Sequence, residues 1–246
     1  MEEEGPLEQF RIHELIPIHF GSLNASFTNS ALFMVISIAA VLLFLTLSTG
    51  ARSLVPSRWQ SLAEMSYGVV ANAVKDNVGM EGWKYFPFIF SVFMFVLFAN
   101  FIGLLPVPGK FTVTSHIIVT FGFAGLIFVG VTLIALFRHG FKFFGFFVPH
   151  GVPPYLLPLL VPIEIIGYFT RPISLSVRLA ANMLAGHTML AVFAGFVVAL
   201  GVFGIAPFLF VVAVYGLEVI VAFLQAYVFV VLTCLYLSDA IHLHHE

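Results

Sequence analysis

Arg178 sits in an apolar run, Ile165 to Phe210, where only Arg171 and His187 could also carry charge near neutral pH. A guanidinium keeps its proton at any relevant pH, and a charge at bilayer depth costs between roughly 3 and 15 kcal/mol. Such a residue implies a nearby group that needs a permanent positive charge. Glu164, Arg171 and Arg178 are spaced by seven; each such step drifts only about 20° around a helix, so the three form one stripe. Ser174 and Asn182, four residues either side of Arg178, fall nearly in line. A polar stripe on an apolar helix points to a cavity or a partner opposite it. Duller readings compete: Glu164 and Arg171 as a structural ion pair or as interfacial anchors, and Arg178 snorkelling to a headgroup.

His187 stands half a turn away from that stripe and roughly 13 Å beyond Arg178 by helical rise. In the last apolar segment Glu218, Ala222, Gln225 and Phe229 share one face by the three-and-four rule, making Glu218 and Gln225 a second polar track. If the last two segments form an antiparallel hairpin turning near Gly201 to Gly204, His187 and Glu218 are similarly far from the turn and can meet near the outer surface. A partly buried carboxylate and imidazole in mutual reach can pass protons; the alternative is a hydrogen-bonded pair that only holds two helices together. His242, His244 and His245 read as a solvated tail without metal-ligand spacing, His139 and His150 as loop residues, and Cys234 as a small apolar residue. No metal and no cofactor are expected.

The elements that must position these groups belong to a membrane protein. The chain of 246 residues is 61% hydrophobic and 9% charged, against about 25% charged in soluble domains. Its net charge of -2 gives no hint of a nucleic-acid surface. Five segments are long enough to span a hydrocarbon core: Ala31 to Ser48, Tyr85 to Leu105, His116 to Phe137, Leu156 to Leu200 and Ile205 to Leu237. The last two exceed a single span and must tilt, bend or break; prolines 149, 153, 154, 158, 162 and 172 leave room for a sixth crossing split out of the fourth segment. The expected class is an all-α integral membrane protein of about five transmembrane helices plus one interfacial amphipathic helix. The whole chain, 1–246, reads as one membrane domain, with an outer-side tail at 1–30, an inner interfacial loop at 51–84 and a hairpin at 155–237.

Orientation follows from the basic residues. Arg52, Arg58, Lys75, Lys84, Arg138 and Lys142 fall in two loops on one side, Arg11 and Lys110 on the other, so the positive-inside rule puts the N-terminus outside and the C-terminus inside. Met1 to Glu14, with Glu2, Glu3 and Glu4, lacks the basic start of a signal peptide. Two function classes remain open on these residues alone: a proton path, and a self-contained ion-coupled transporter whose Arg178 binds an anionic substrate. A structural membrane anchor is a third. No phosphate-binding Gly-Lys-Ser or Gly-Lys-Thr loop occurs.

The run Arg171-Pro-Ile-Ser-Leu-Ser-Val-Arg-Leu-Ala-Ala-Asn-Met-Leu-Ala-Gly-His187 closely resembles the signature helix of subunit a of F-type ATP synthases. Leu224 to Leu237 is similar to that family's last helix, and Asn100 within Phe98-Ala-Asn-Phe-Ile-Gly-Leu-Leu-Pro106 to its second-span motif. The resemblance covers nearly the whole chain. It implies that Arg178 is the stator arginine facing the carboxylates of a rotating c-ring, with Asn182 and Gln225 as its polar neighbours. His187 and Glu218, with Asn182, Gln225 and Asn100, then belong to an outer half-channel, Glu164 and Ser174 to an inner one. Histidine and acid stand in the reverse order from many bacterial members, as in alphaproteobacterial and mitochondrial forms. Gly103 departs from relatives that carry an acid there. The resemblance further implies a subunit that is not catalytic by itself, in a bacterial cell inner membrane, with c-ring subunits, b-type peripheral-stalk subunits, lipid and, indirectly, the F1 sector as partners.

Overall fold

The computed structural model describes residues 14–17, 19–20, 23–24, 26–50, 56–105, 112–148 and 153–241. Six α-helices dominate: α1 Asn29–Thr49, α2 Arg58–Asn77, α3 Phe86–Leu104, α4 Ile117–His139, α5 Leu157–Leu200 and α6 Ile205–Ile241. Ahead of them lie two short antiparallel ladders, β1 (Glu14–Ile16) with β4 (Phe27–Thr28) and β2 (His19–Phe20) with β3 (Leu23–Asn24). These fall in the segment expected as a tail and leave the all-α membrane class intact. Each span expected from hydropathy is a helix within four residues of its expected ends, and α2 occupies the expected interfacial loop. His242, His244, His245 and His150, like Arg11, Arg52 and Lys110, lie outside the described residues.

Among the described residues, four continuous stretches are long and apolar enough to cross a bilayer: Asn29–Thr49, Met80–Leu104, Ile117–His139 and Leu157–Ile241. The last folds back at the 3-10 turn Gly201–Gly204 and supplies two limbs, so the protein is a multi-pass membrane protein. Helices suit this setting because they satisfy their own backbone groups where water is absent. Serines in α1 are accommodated in the same way, Ser37 and Ser48 donating to the Phe33 and Phe44 carbonyls one turn back.

The centre of the bundle is the packing of α3 on α6, flanked by α2, α4 and α5. Ile89, Phe93, Met94 and Leu97 of α3 and Ala226, Phe229, Val230 and Leu237 of α6 are buried in it. In α1 the outward residues Val35, Ile38, Leu42 and Leu43 are exposed apolar side chains, as a lipid-facing helix requires. Helix α2 is amphipathic: Val70, Ala73 and Val74 are buried, while Trp59, Leu62 and Met65 are exposed. Ser57 caps it, its hydroxyl accepting from the Gln60 amide at 3.3 Å.

Helix α5 runs unbroken for 44 residues through Pro162 and Pro172, so the split that a sixth crossing would need does not occur there. The proline ring removes one amide donor at each site, and neighbouring turns carry the helix across. The two long helices lie antiparallel over most of their length: Phe193 and Phe210 rings stand 4.2 Å apart near the turn, Glu218 abuts Gly186 midway, and Arg171 reaches Asp239 near the far end. Polar contacts gather at that far end. Arg138 pairs with Glu81, and His139, expected in a loop, is the last residue of α4 with Nε2 3.0 Å from the Ala240 carbonyl oxygen. The reason is that α4 continues two residues beyond its apolar run and meets the end of α6.

The hairpin turn depends on glycine at two points. Gly201 has φ of 53°, and a Cβ on Gly204 would lie 2.5 Å from the Val197 carbonyl oxygen. Gly201→Ala should therefore destabilise the turn by about 1–3 kcal/mol, the usual cost of a strained backbone conformation. The midpoint of thermal aggregation of the detergent-purified chain should drop, while Gly130→Ala, where an added Cβ meets nothing within 4 Å, should leave it unchanged.

Candidate functional site

Helix α5 sorts its residues by face. Leu175, Ser176, Leu179, Ala180 and Met183 point into the bundle and are buried; Glu164, Arg171, Ser174 and Arg178 lie on the open side, and Asn182 is half-buried at its margin. The stripe expected from seven-residue spacing is thus an outward stripe, facing away from the chain's own core. Among the described residues the ion pairs are Arg138 with Glu81 and Arg171 with Asp239, and Arg178 is in neither. Its neighbours on the open face, Ile173, Val177 and Leu184, are exposed apolar side chains.

Arg171 forms a structural ion pair, with a partner other than Glu164. Its Nη1 lies 2.9 Å from Asp239 Oδ2 at the end of α6, with the guanidinium 5.8 Å from the Tyr236 ring centre. Glu164 is in neither ion pair of the described residues. Arg171 therefore closes the far end of the hairpin, and Glu164 stands exposed two turns before it. Nothing in one-dimensional spacing links Asp239 to Arg171, 68 residues away.

On the inward side, α3, α5 and α6 enclose a set of polar groups. His187 is 2% exposed, Glu218 5%, Gln225 7% and Asn100 0%. The Glu218 carboxylate occupies the space that a side chain at position 186 would fill: a Cβ on Gly186 would lie 1.7 Å from Oε1 and 2.1 Å from Cδ. Glu218 thus reaches the residue that precedes His187. Asn100 of α3 donates from Nδ2 to the Ala222 carbonyl at 3.2 Å, one turn from Glu218 on α6. Asn100 Oδ1, Glu218 Oε2 and Gln225 Oε1 are buried without a hydrogen-bond partner among the described residues. Each of these oxygens can accept a hydrogen bond, and the Glu218 carboxylate can also take up a proton.

The His187 ring has a partner that sequence reading missed. Its Nε2 lies 3.2 Å from Thr112 Oγ1, from the residue just ahead of the 3-10 turn Val113–Ser115. Thr112, Thr114 and Ser115 are all buried, and the available signal was a polar run, Thr112-Val-Thr-Ser-His116, at the head of an apolar span. Gly103, noted for lacking an acid, is occupied from outside: a Cβ there would lie 2.7 Å from Thr112 Cγ2. Tyr215 ties α6 to the same end of α3, its hydroxyl donating to the Leu104 carbonyl at 3.1 Å, one of the carbonyls a helix end leaves unpaired.

Two unlike sites therefore sit on one helix pair. One is a permanent cation on an open apolar face. The other is a buried run of carboxylate, amides, imidazole and hydroxyl, groups that together can accept, hold and hand on a proton. No group of three or more His, Cys, Asp or Glu side chains with metal-binding geometry occurs among the described residues.

Known proteins share this sequence at length. The model of the family described as ATP synthase A chain matches residues 31–238. The chain is 55% identical to the ATP synthase subunit a of Paramagnetospirillum magneticum, over 98% of this chain and 99% of that one. It is 57% identical to the subunit a of a Chelativorans species, over 98% of each chain. With the subunit a of Pelagibacter ubique it shares 55% identity over 98% of this chain and 99% of the relative. Nothing in these matches favours a self-contained transporter. With an apolar helix pair that carries an outward arginine and a buried acid and imidazole, and with end-to-end identity above half to these relatives, the chain belongs to the ATP synthase A chain family.

Proposed function

We propose that the chain is the proton-translocating stator subunit of the membrane sector of an ATP synthase, passing protons through two offset half-channels against a c-ring and so coupling their flow to rotation. The observation that carries this reading is Arg178: a permanently charged side chain on the open face of α5, in neither ion pair of the described residues. A cation so placed in hydrocarbon calls for an anion on another chain. A ring of carboxylates, each neutral while it faces lipid and charged when it meets the arginine, supplies one.

In this mechanism a proton from the outer side reaches the buried Glu218 and His187, with Asn182, Gln225 and Asn100 as polar lining. It neutralises a ring carboxylate, which can then move into lipid without the penalty of a bare charge. After nearly a full turn that carboxylate comes to Glu164 and Ser174, exposed on the opposite stretch of α5, and releases its proton inward. Arg178 stands between the two paths. It attracts the deprotonated carboxylate and repels a proton that would cross directly, and it cannot be switched off by deprotonation as a buried lysine can. The driving force is about 2.3 kcal/mol per proton for each 100 mV of membrane potential.

The subunit itself is non-catalytic in this reading and needs no cofactor. Its partners are the c-ring, b-type stalk subunits and, through them, the F1 sector. Its place is a bacterial inner membrane with the N-terminus outside and the C-terminus inside, the orientation favoured by the excess of basic residues on one side. The whole chain acts as one membrane domain, with 155–237 as the proton-path hairpin.

Arg178→Ala should abolish ATP-driven acidification of vesicles containing the reconstituted complex, read by quenching of a pH-sensitive dye, while the subunit still assembles. Coupled pumping at the normal rate by that variant would sink the proposal. Gly186→Ala should impair pumping because its Cβ collides with the Glu218 carboxylate. Adding Glu218→Asp, one methylene shorter, should recover part of the loss; a double variant no better than Gly186→Ala alone would remove Glu218 from the path.

A further inference from the structure

Thr112 touches the site with both arms of its side chain. The hydroxyl meets His187 Nε2 at 3.2 Å, and the methyl rests in the notch left by Gly103, 2.7 Å from where a Cβ would stand. Its backbone is fixed as well, since the Thr112 carbonyl accepts from the Ser115 hydroxyl at 2.7 Å and the Ser115 amide at 3.2 Å. A β-branched side chain has few χ1 choices to begin with, and here the methyl's seat selects one of them.

We propose that Thr112 is a positioning residue for His187, its hydroxyl holding the buried imidazole in the orientation that proton transfer requires. The proposal rests on the reading of His187 as part of the outer proton path. A hydroxyl both donates and accepts, so it can give a hydrogen bond to a bare Nε2 and accept one from a protonated Nε2. The ring is thus held in place in either state while its proton comes and goes. A carboxylate at this position would add a charge, and a valine would leave Nε2 facing an apolar group. Gly103 has the matching part, because any side chain there would push the threonine methyl and turn the hydroxyl off the ring.

The test uses the whole ATP synthase reconstituted in vesicles, with ATP synthesis driven by an imposed proton gradient and rates expressed per assembled complex. Thr112→Ser keeps the hydroxyl and should stay within about twofold of the unmodified enzyme; Thr112→Val keeps the shape and should lose about fivefold to tenfold, the worth of one hydrogen bond. A residue that merely packs would give the opposite order, with valine tolerated and serine impaired, and that order overturns the proposal. Gly103→Ala leaves the hydroxyl in the chain but displaces it, and should be impaired. Combining it with Thr112→Ser removes the colliding Cγ2 and should restore the rate; a double variant no faster than Gly103→Ala also overturns the proposal. Arg178→Ala in the same preparation separates the two levels. If it still couples, the proton-path reading itself fails; if it does not couple and Thr112→Val is normal, only the role of Thr112 fails.

Discussion

The close approach of α5 and α6 at Gly186 and Glu218 sets the geometry of everything around it. A carboxylate can lie against the backbone of α5 only because position 186 has no side chain, and that contact holds the two long helices at one separation and one register. From it follow the inward turn of His187 at the next residue, the burial of Gln225 two turns along α6, and the outward turn of Arg178 on the far side of α5. In a bilayer, apolar side chains gain little by choosing one another over lipid, so small residues and polar contacts decide how helices pair. The glycine and the acid do both.

The same principle recurs at the two ends of the hairpin and beside it. At the turn, a Cβ on Gly204 would lie 2.5 Å from the Val197 carbonyl oxygen, so glycine lets the two limbs come together there. At the far end Arg171 and Asp239 close the pair, and at the junction with α3 the hydroxyl of Tyr215 takes the Leu104 carbonyl. Each is a polar or small-residue contact between helices whose remaining surfaces are apolar. They leave Arg178 on the outward face of α5, in neither ion pair of the described residues, which is what a helix must offer if its charge is to meet another chain.

Two chemical environments are kept apart by the thickness of one helix. On the buried side an acid and an imidazole, both able to take up and give back a proton, lie among two amides and a hydroxyl. Arg178, which keeps its proton at any relevant pH, lies on the open side. Mixing them would pair Glu218 with a guanidinium and hold its proton off; separation lets each keep its own chemistry.

The sequence alone determined the spans, the amphipathic α2 and the stripe of Glu164, Ser174, Arg178 and Asn182, because hydropathy and helical period are properties of neighbours along one chain. It also brought His187 and Glu218 to the same level, since counting residues from a hairpin turn measures distance along both limbs. It could not tell that α5 continues through Pro162 and Pro172, for a proline's effect depends on what supports the turns around it. Nor could it find Asp239 for Arg171, Ala240 for His139 or Thr112 for His187. Those contacts join residues 68, 101 and 75 positions apart, and only the packing of separate helices decides which side chains fill the gaps that glycines leave.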